Sequence, residues 1–185
     1  MRGIAVEVVR KGDALLLRYR IACAPHLLRL PKSADPVRMD GLWQHTCMEA
    51  FIAGADGSYC EFNLSPSGAW AAYDFASYRA GMRDRETTPP LIAGEEGGDF
   101  FELAATIDVT GLSGKLSLTA VVEEAGGTKS YWALAHANGQ PDFHHAACFA
   151  AMLPAPKRFE KMPQSRYLAQ RSRTIARYIP MVTPP

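Results

Sequence analysis

Apolar and polar residues alternate along most of this chain in short runs, and the runs are separated by Gly, Pro and Asp. Period-two alternation is the signature of strands with one face buried, and many such strands in succession describe an antiparallel sandwich. The pattern predicts strands over residues 4–9, 14–21, 46–53, 59–65, 100–108, 115–123 and 129–136. Lys11-Gly12-Asp13, Asp56-Gly57 and Gly126-Gly127 supply tight turns between neighbours, and Leu112-Ser113-Gly114 a looser one. The run Trp70-Ala71-Ala72-Tyr73-Asp74-Phe75 mixes helix-favouring alanines with strand-favouring aromatics. It is read as a strand because Ser65-Pro66-Ser67-Gly68 resembles a turn onto a neighbouring edge. Residues 79–99 show little periodicity and read as a long surface loop. Beyond them, Pro163-Gln164-Ser165 opens a predicted helix over residues 166–178, with Leu168, Ile175 and Ile179 on one stripe and Pro180 as its stop.

Alternation also assigns faces. Met48, Ala50 and Ile52 point one way, and His45, Cys47, Glu49 and Phe51 the other. In the next strand Cys60, Phe62 and Leu64 form the core set, opposed by Tyr59, Glu61, Asn63 and Ser65. A hairpin about Asp56-Gly57 then gathers Glu49, Glu61 and Asn63 on one face, beside His45 and Tyr59. Trp43 and Trp70 flank that field, which suits a polyol: indoles stack on C–H faces while carboxyls and amides meet hydroxyls. The plainer alternative is a solvated sheet face that needs no ligand. Arg18 and Arg20 join the field only if strand order brings them to it. His136, at the end of its strand, is a further candidate. His144-His145 with Asp142 match no metal-ligand spacing and read as a turn and cap, so no metal is expected. The same register places Cys47 on the ligand side, more accessible than core-facing Cys60.

Composition narrows the class. The chain has 185 residues, 48% hydrophobic and 21% charged, with a formal net charge of +1. That is ordinary globular usage, and its net charge gives no warrant for nucleic acid. Residues 157–185 depart from it, with seven basic side chains against the single acid Glu160. The expected division is therefore a binding domain over 1–156 and a basic extension over 157–185, the latter a candidate contact for an acidic partner or a second copy. No apolar run approaches the ~20 residues of a membrane span, and the first residues lack a signal-peptide core. Cys23, Cys47, Cys60 and Cys148 form no CxxC pair and read as free thiols, which favours the cytoplasm.

DGLWQHTCMEAFI followed by YCEFNLSPSGAWAAYDFASYRAGM, with FFELAATIDV and YWALAHANGQPDFHH later, resembles the small bacterial DOMON-like proteins, related to carbohydrate-binding module family 9. The resemblance spans roughly residues 4–153. Met48 and Cys60 depart from the aromatics that relatives tend to carry there. It implies an all-β antiparallel sandwich of the jelly-roll kind and a domain that binds sugars or haem rather than an enzyme. Within the matching motifs lie Trp43, His45, Glu49, Glu61, Asn63 and Trp70. Non-catalytic binding of a sugar or sugar-like ligand is thus the leading expectation. Haem is the alternative, with His45, His136, Met82 and Met152 as candidate axial ligands. Two further alternatives are a glycoside hydrolase using Glu49 and Glu61, and a protein interaction domain. No GxSxG, HExxH, phosphate-loop or dinucleotide motif supports other chemistry.

Overall fold

The computed structural model describes residues 1–155 and 179–184. Its strands are β1 (Ile4–Lys11), β2 (Ala14–Ile21), β3 (Cys47–Ala53), β4 (Tyr59–Leu64), β5 (Trp70–Phe75) and β6 (Arg83–Asp84), followed by β7 (Leu91–Glu96), β8 (Phe101–Asp108), β9 (Lys115–Glu123), β10 (Lys129–Ala133), β11 (Ala151–Met152) and β12 (Ile179–Met181). One sheet runs β12-β1-β2-β8-β7 and the other β10-β9-β3-β4-β5-β6, with β11 paired to the start of β9. Every strand pairing is antiparallel, and the two sheets pack as a sandwich. No helix among the described residues is long and apolar enough to cross a membrane.

The alternation read from the sequence fills the space between the sheets. Leu15, Leu17, Tyr19 and Ile21 from one sheet meet Met48, Ala50, Ile52, Phe62 and Leu118 from the other. Burial of such side chains is worth about 1.5–3 kcal/mol each and is the main term holding the layers together. The Tyr19 hydroxyl crosses this apolar layer and donates to the Glu49 carbonyl at 2.7 Å, so its polar atom is not left unpaired. Gly114 precedes β9 at φ 122°, where a Cβ would stand 2.1 Å from the Ala53 carbonyl oxygen. Only glycine permits that approach.

Three expectations require correction. Residues 79–99 are not one loop: β6 extends the larger sheet, and β7 pairs with β8 through six residue pairs. β7 is an almost wholly exposed edge strand, with Leu91 75% exposed, so ladder hydrogen bonds hold it where no buried face left an alternating pattern. Strand β10 stops at Ala133, so His136 lies beyond it rather than within it. Ile179, expected on the apolar stripe of a helix, is instead the first residue of β12, and Pro180 sits beside it at an edge position where its missing N–H costs nothing. Met181 opposes Ile4 and is buried in the main core, while Val182 exchanges backbone hydrogen bonds with Ala133 of the other sheet. The predicted helix over 166–178 lies outside the described residues.

Candidate functional site

The outer face of the larger sheet is not a solvated surface. Cys47, Glu49 and Phe51 of β3 lie beside Tyr59, Glu61 and Asn63 of β4, Ala71, Tyr73 and Phe75 of β5, and Thr119 and Val121 of β9. Two loops roof this face. Residues 40–45 bring Leu42 and Asp40, and residues 141–149 bring Phe143, His144 and Phe149. Between the roofs a cleft of about 830 Å³ opens, with Glu49 and Glu61 in its lining and Tyr73, Phe75, Tyr131 and Phe143 around them. Trp43, 55% exposed, stands at its rim. Tyr59 stacks on Phe75 with ring centroids 4.7 Å apart and planes 7° apart, which fixes one wall.

The acids are held by neutral donors. Thr119 Oγ1–H donates to Glu49 Oε2 at 2.8 Å, and Asn63 Nδ2–H to Glu61 Oε1 at 2.7 Å. The Cys47 thiol donates weakly to Asn63 Oδ1 at 3.8 Å, extending the chain of contacts. Burial pushes both carboxyl pKa values up, Glu49 to about 8 and Glu61 to about 7, and Glu61 adds to the rise at Glu49. Near neutral pH the pair retains a proton and can both donate and accept.

His144 faces the acids from the roof. Its Nδ1 lies 2.8 Å from the Tyr59 hydroxyl, which itself accepts the Arg79 N–H at 3.1 Å. The neutral ring either accepts the Tyr59 O–H at Nδ1 or donates Nδ1–H to the hydroxyl oxygen, the tautomer setting the direction. Nε2 is 3.9 Å from Glu61 Oε2. Burial, helped by Arg79, lowers the His144 pKa to about 4, so at neutral pH the contact is a neutral ring facing an acid and not an ion pair. Arg79 is at φ 53°, the left-handed region, which is strained for a side chain bearing a Cβ. Its guanidinium is tied to Asp142 Oδ1 at 2.7 Å, and the Tyr78 hydroxyl donates to the other oxygen of the same carboxylate. This clasp pins the roof loop to the sheet edge. On the far side of the Tyr59–His144 wall lies a second cleft of about 820 Å³, lined by Phe149, Tyr78, Lys115 and Met152.

No protein-family model matches the chain, and no curated protein does. Among solved structures, it is similar to one described as a putative carbohydrate-binding protein from Bacteroides uniformis, with a TM-score of 0.55 and 18% identity over 79% of this chain and 75% of that one. The two share a fold. At that identity the likeness carries no residue roles.

Of the residues singled out from sequence, Glu49, Glu61 and Trp43 line the cleft, Asn63 supports Glu61 from beneath, and Tyr59 forms the wall shared with the second cleft. Trp70 does not belong to it. In β5 the period-two face assignment sends Trp70 and Ala72 into the main core, where Arg38 lies 4.5 Å over the indole, and sends Tyr73 and Phe75 to the cleft. His45 is also elsewhere, exposed and with Nδ1 2.8 Å from Glu123 Oε2; with Arg29 it holds that carboxyl below its ordinary range. His136 Nε2 contacts the Val182 carbonyl at 3.0 Å, behind Phe143. Arg18 and Arg20 sit on the other sheet, against Glu102. Cys47 faces the site side and Cys60 the core, yet both are buried, at 0% and 2% exposure, so the expected difference in access is absent. All four thiols are free.

The haem candidates do not assemble. Only Met82 lines the cleft, while His45 and His136 are engaged as above and Met152 lies at the second cleft. No facing axial pair results, so these residues do not fit a haem. No group of three or more His, Cys, Asp or Glu residues is poised for a metal among the described residues. His145 caps the turn Ala146–Cys148 by accepting from Ala147 N–H. Sequence reasoning missed His144, Tyr73, Phe75, Tyr131, Phe143 and Arg79. The alternation in β5 pointed to Tyr73 and Phe75, but the loop residues carried no local signal.

Proposed function

We propose that this chain is a non-catalytic binding domain for a sugar or sugar-like ligand held in the cleft over the larger sheet. The observation that carries the reading is the floor and walls of that cleft. Two carboxyls that retain a proton near neutrality lie beneath Tyr73, Phe75, Tyr131 and Phe143, with Trp43 free at the rim. Aromatic faces stack on the C–H surface of a pyranose, and protonated carboxyls donate to and accept from its hydroxyls. The fold likeness to the Bacteroides structure supports the reading, as does the motif resemblance to DOMON-like domains. Four buried free thiols favour a reducing compartment. Calorimetric titration with monosaccharides and disaccharides tests it. Saturable binding is expected, weakened about tenfold or more by Tyr73→Ala, a loss of roughly 1.4 kcal/mol. Absence of heat for every sugar at millimolar concentration contradicts it.

A second reading rests on the same pair. A buried acid with a raised pKa beside another carboxyl is also what a glycosidase uses. Burial raises Glu49 to about 8, so near neutral pH it is a protonated acid rather than a carboxylate nucleophile, which favours binding. Release of an aryl leaving group from aryl glycosides by wild type, absent in Glu61→Gln, would reverse the preference.

A further inference from the structure

Near pH 7 the two acids of the cleft floor share at most one negative charge beside the proton they retain, and a neutral polyol leaves that charge uncompensated. Glu49 and Glu61 are 2% and 5% exposed. Glu49 Oε1 and Glu61 Oε2 accept no hydrogen bond from any described residue, and both side chains line the cleft. Buried carboxyls ordinarily meet a lysine or arginine. Here the two basic side chains in the lining are engaged otherwise. The Arg79 guanidinium is bonded to Asp142 and reaches Glu61 only through its field, which lowers that carboxyl's pKa without outweighing burial, and His144 is neutral, its Nε2 at 3.9 Å from Glu61 and beyond hydrogen-bond length. Around the acids stand Tyr73, Phe75, Tyr131 and Phe143, rings whose faces carry negative potential. A ring-lined cavity with carboxyls on its floor attracts a cation from both directions.

We propose that the ligand of this cleft carries a positively charged amine, in the first instance an amino sugar with a free ammonium group, seated between the Glu49 and Glu61 carboxyls and the surrounding rings. The proposal rests on the sugar reading above and narrows it. An ammonium brings three donors, enough to serve both open carboxyl oxygens, and its charge releases to solvent the proton that the pair retains; the resulting charge-assisted bonds are roughly twice as strong as those from neutral hydroxyls. Acetylation of that amine removes the charge and most of the donors. The site should therefore separate three sugars that differ at one position only.

Calorimetric titration at pH 7 with glucose, glucosamine and N-acetylglucosamine, and with their β-1,4-linked disaccharides, tests this. Each glucosamine compound is expected to bind at least about tenfold more tightly than its two matched counterparts, the difference a desolvated charged contact supplies. In Glu61→Gln, which keeps the side-chain shape, the preference should fall to within about threefold. If that variant does not fold, by its circular dichroism spectrum, the wild-type ratios decide alone. Neutral sugars binding as tightly as glucosamine overturn the amine proposal and leave the sugar reading standing. Binding of benzyltrimethylammonium or spermidine with no binding of any sugar supports the amine and overturns the sugar. Silence from every probe overturns both.

Discussion

Glu49 and Glu61 owe their protonation to burial, and that has a consequence for stability. A carboxyl whose folded pKa exceeds its unfolded value binds more protons folded than unfolded. Its contribution is complete below the ordinary value of 4.5 and is lost as pH rises through about 7 and 8. His144, lowered to about 4 from 6.5, acts oppositely: its contribution is present above 6.5 and lost as pH falls through 4. The two oppose each other between about pH 4.5 and 6.5, and above pH 6.5 the acids dominate. Urea unfolding should show stability falling by on the order of 2 kcal/mol between about pH 6.5 and 8.5. The Glu49→Gln, Glu61→Gln double variant should be nearly flat there. A wild-type profile that is itself flat over that range contradicts the burial account. The grouping of these acids with Asn63 was legible in sequence, because period two leaves no choice once Met48, Ile52, Phe62 and Leu64 face the core. Trp70 was misread because size and aromaticity were weighed above register; its own strand alternation sends it inward.

The strands and their order of faces follow from local pattern, whereas the roof does not. Nothing periodic in residues 137–149 announces that Phe143 and His144 fold back over β3, β4 and β5. Their placement depends on contacts 63 residues or more apart in sequence, chiefly Arg79 and Tyr78 on Asp142 and Tyr59 on His144. The strained Arg79 backbone is tolerated because this clasp over-determines it. Asp142→Ala should therefore release the roof while leaving the sandwich largely intact. The expected result is about tenfold weaker sugar binding with a loss of only about 1–2 kcal/mol in stability. Calorimetry paired with chemical denaturation checks it. Undiminished affinity in this variant would mean that the roof does not shape the site.

At the scale of the whole molecule, the smaller sheet is closed on one edge by a segment from the far end of the chain. β12 pairs with β1, and Val182 bonds to Ala133 of the opposite sheet, so these residues tie the two layers together. A division at residue 156, drawn from the shift to basic composition, reads charge correctly but carries no information about pairing; Ile179, Met181 and Val182, interrupted by Pro180, are too short a run to give a strand pattern. Because Met181 is 4% exposed in the main core, Met181→Ala should cost about 2–5 kcal/mol by thermal or denaturant unfolding. A loss below about 0.5 kcal/mol, ordinary for a surface change, would contradict its core placement. The cleft itself is tested most directly through its three tryptophans, which occupy distinct places: Trp43 exposed at the rim, Trp70 in the core, and Trp132 on β10 with its indole N–H bonded to Ser130. Titrating a binding sugar into 15N-labelled protein should move the Trp43 indole resonance saturably while those of Trp70 and Trp132 stay in place. Saturable binding that shifts Trp132 or Trp70 and leaves Trp43 unmoved would contradict the assignment of this cleft as the binding site.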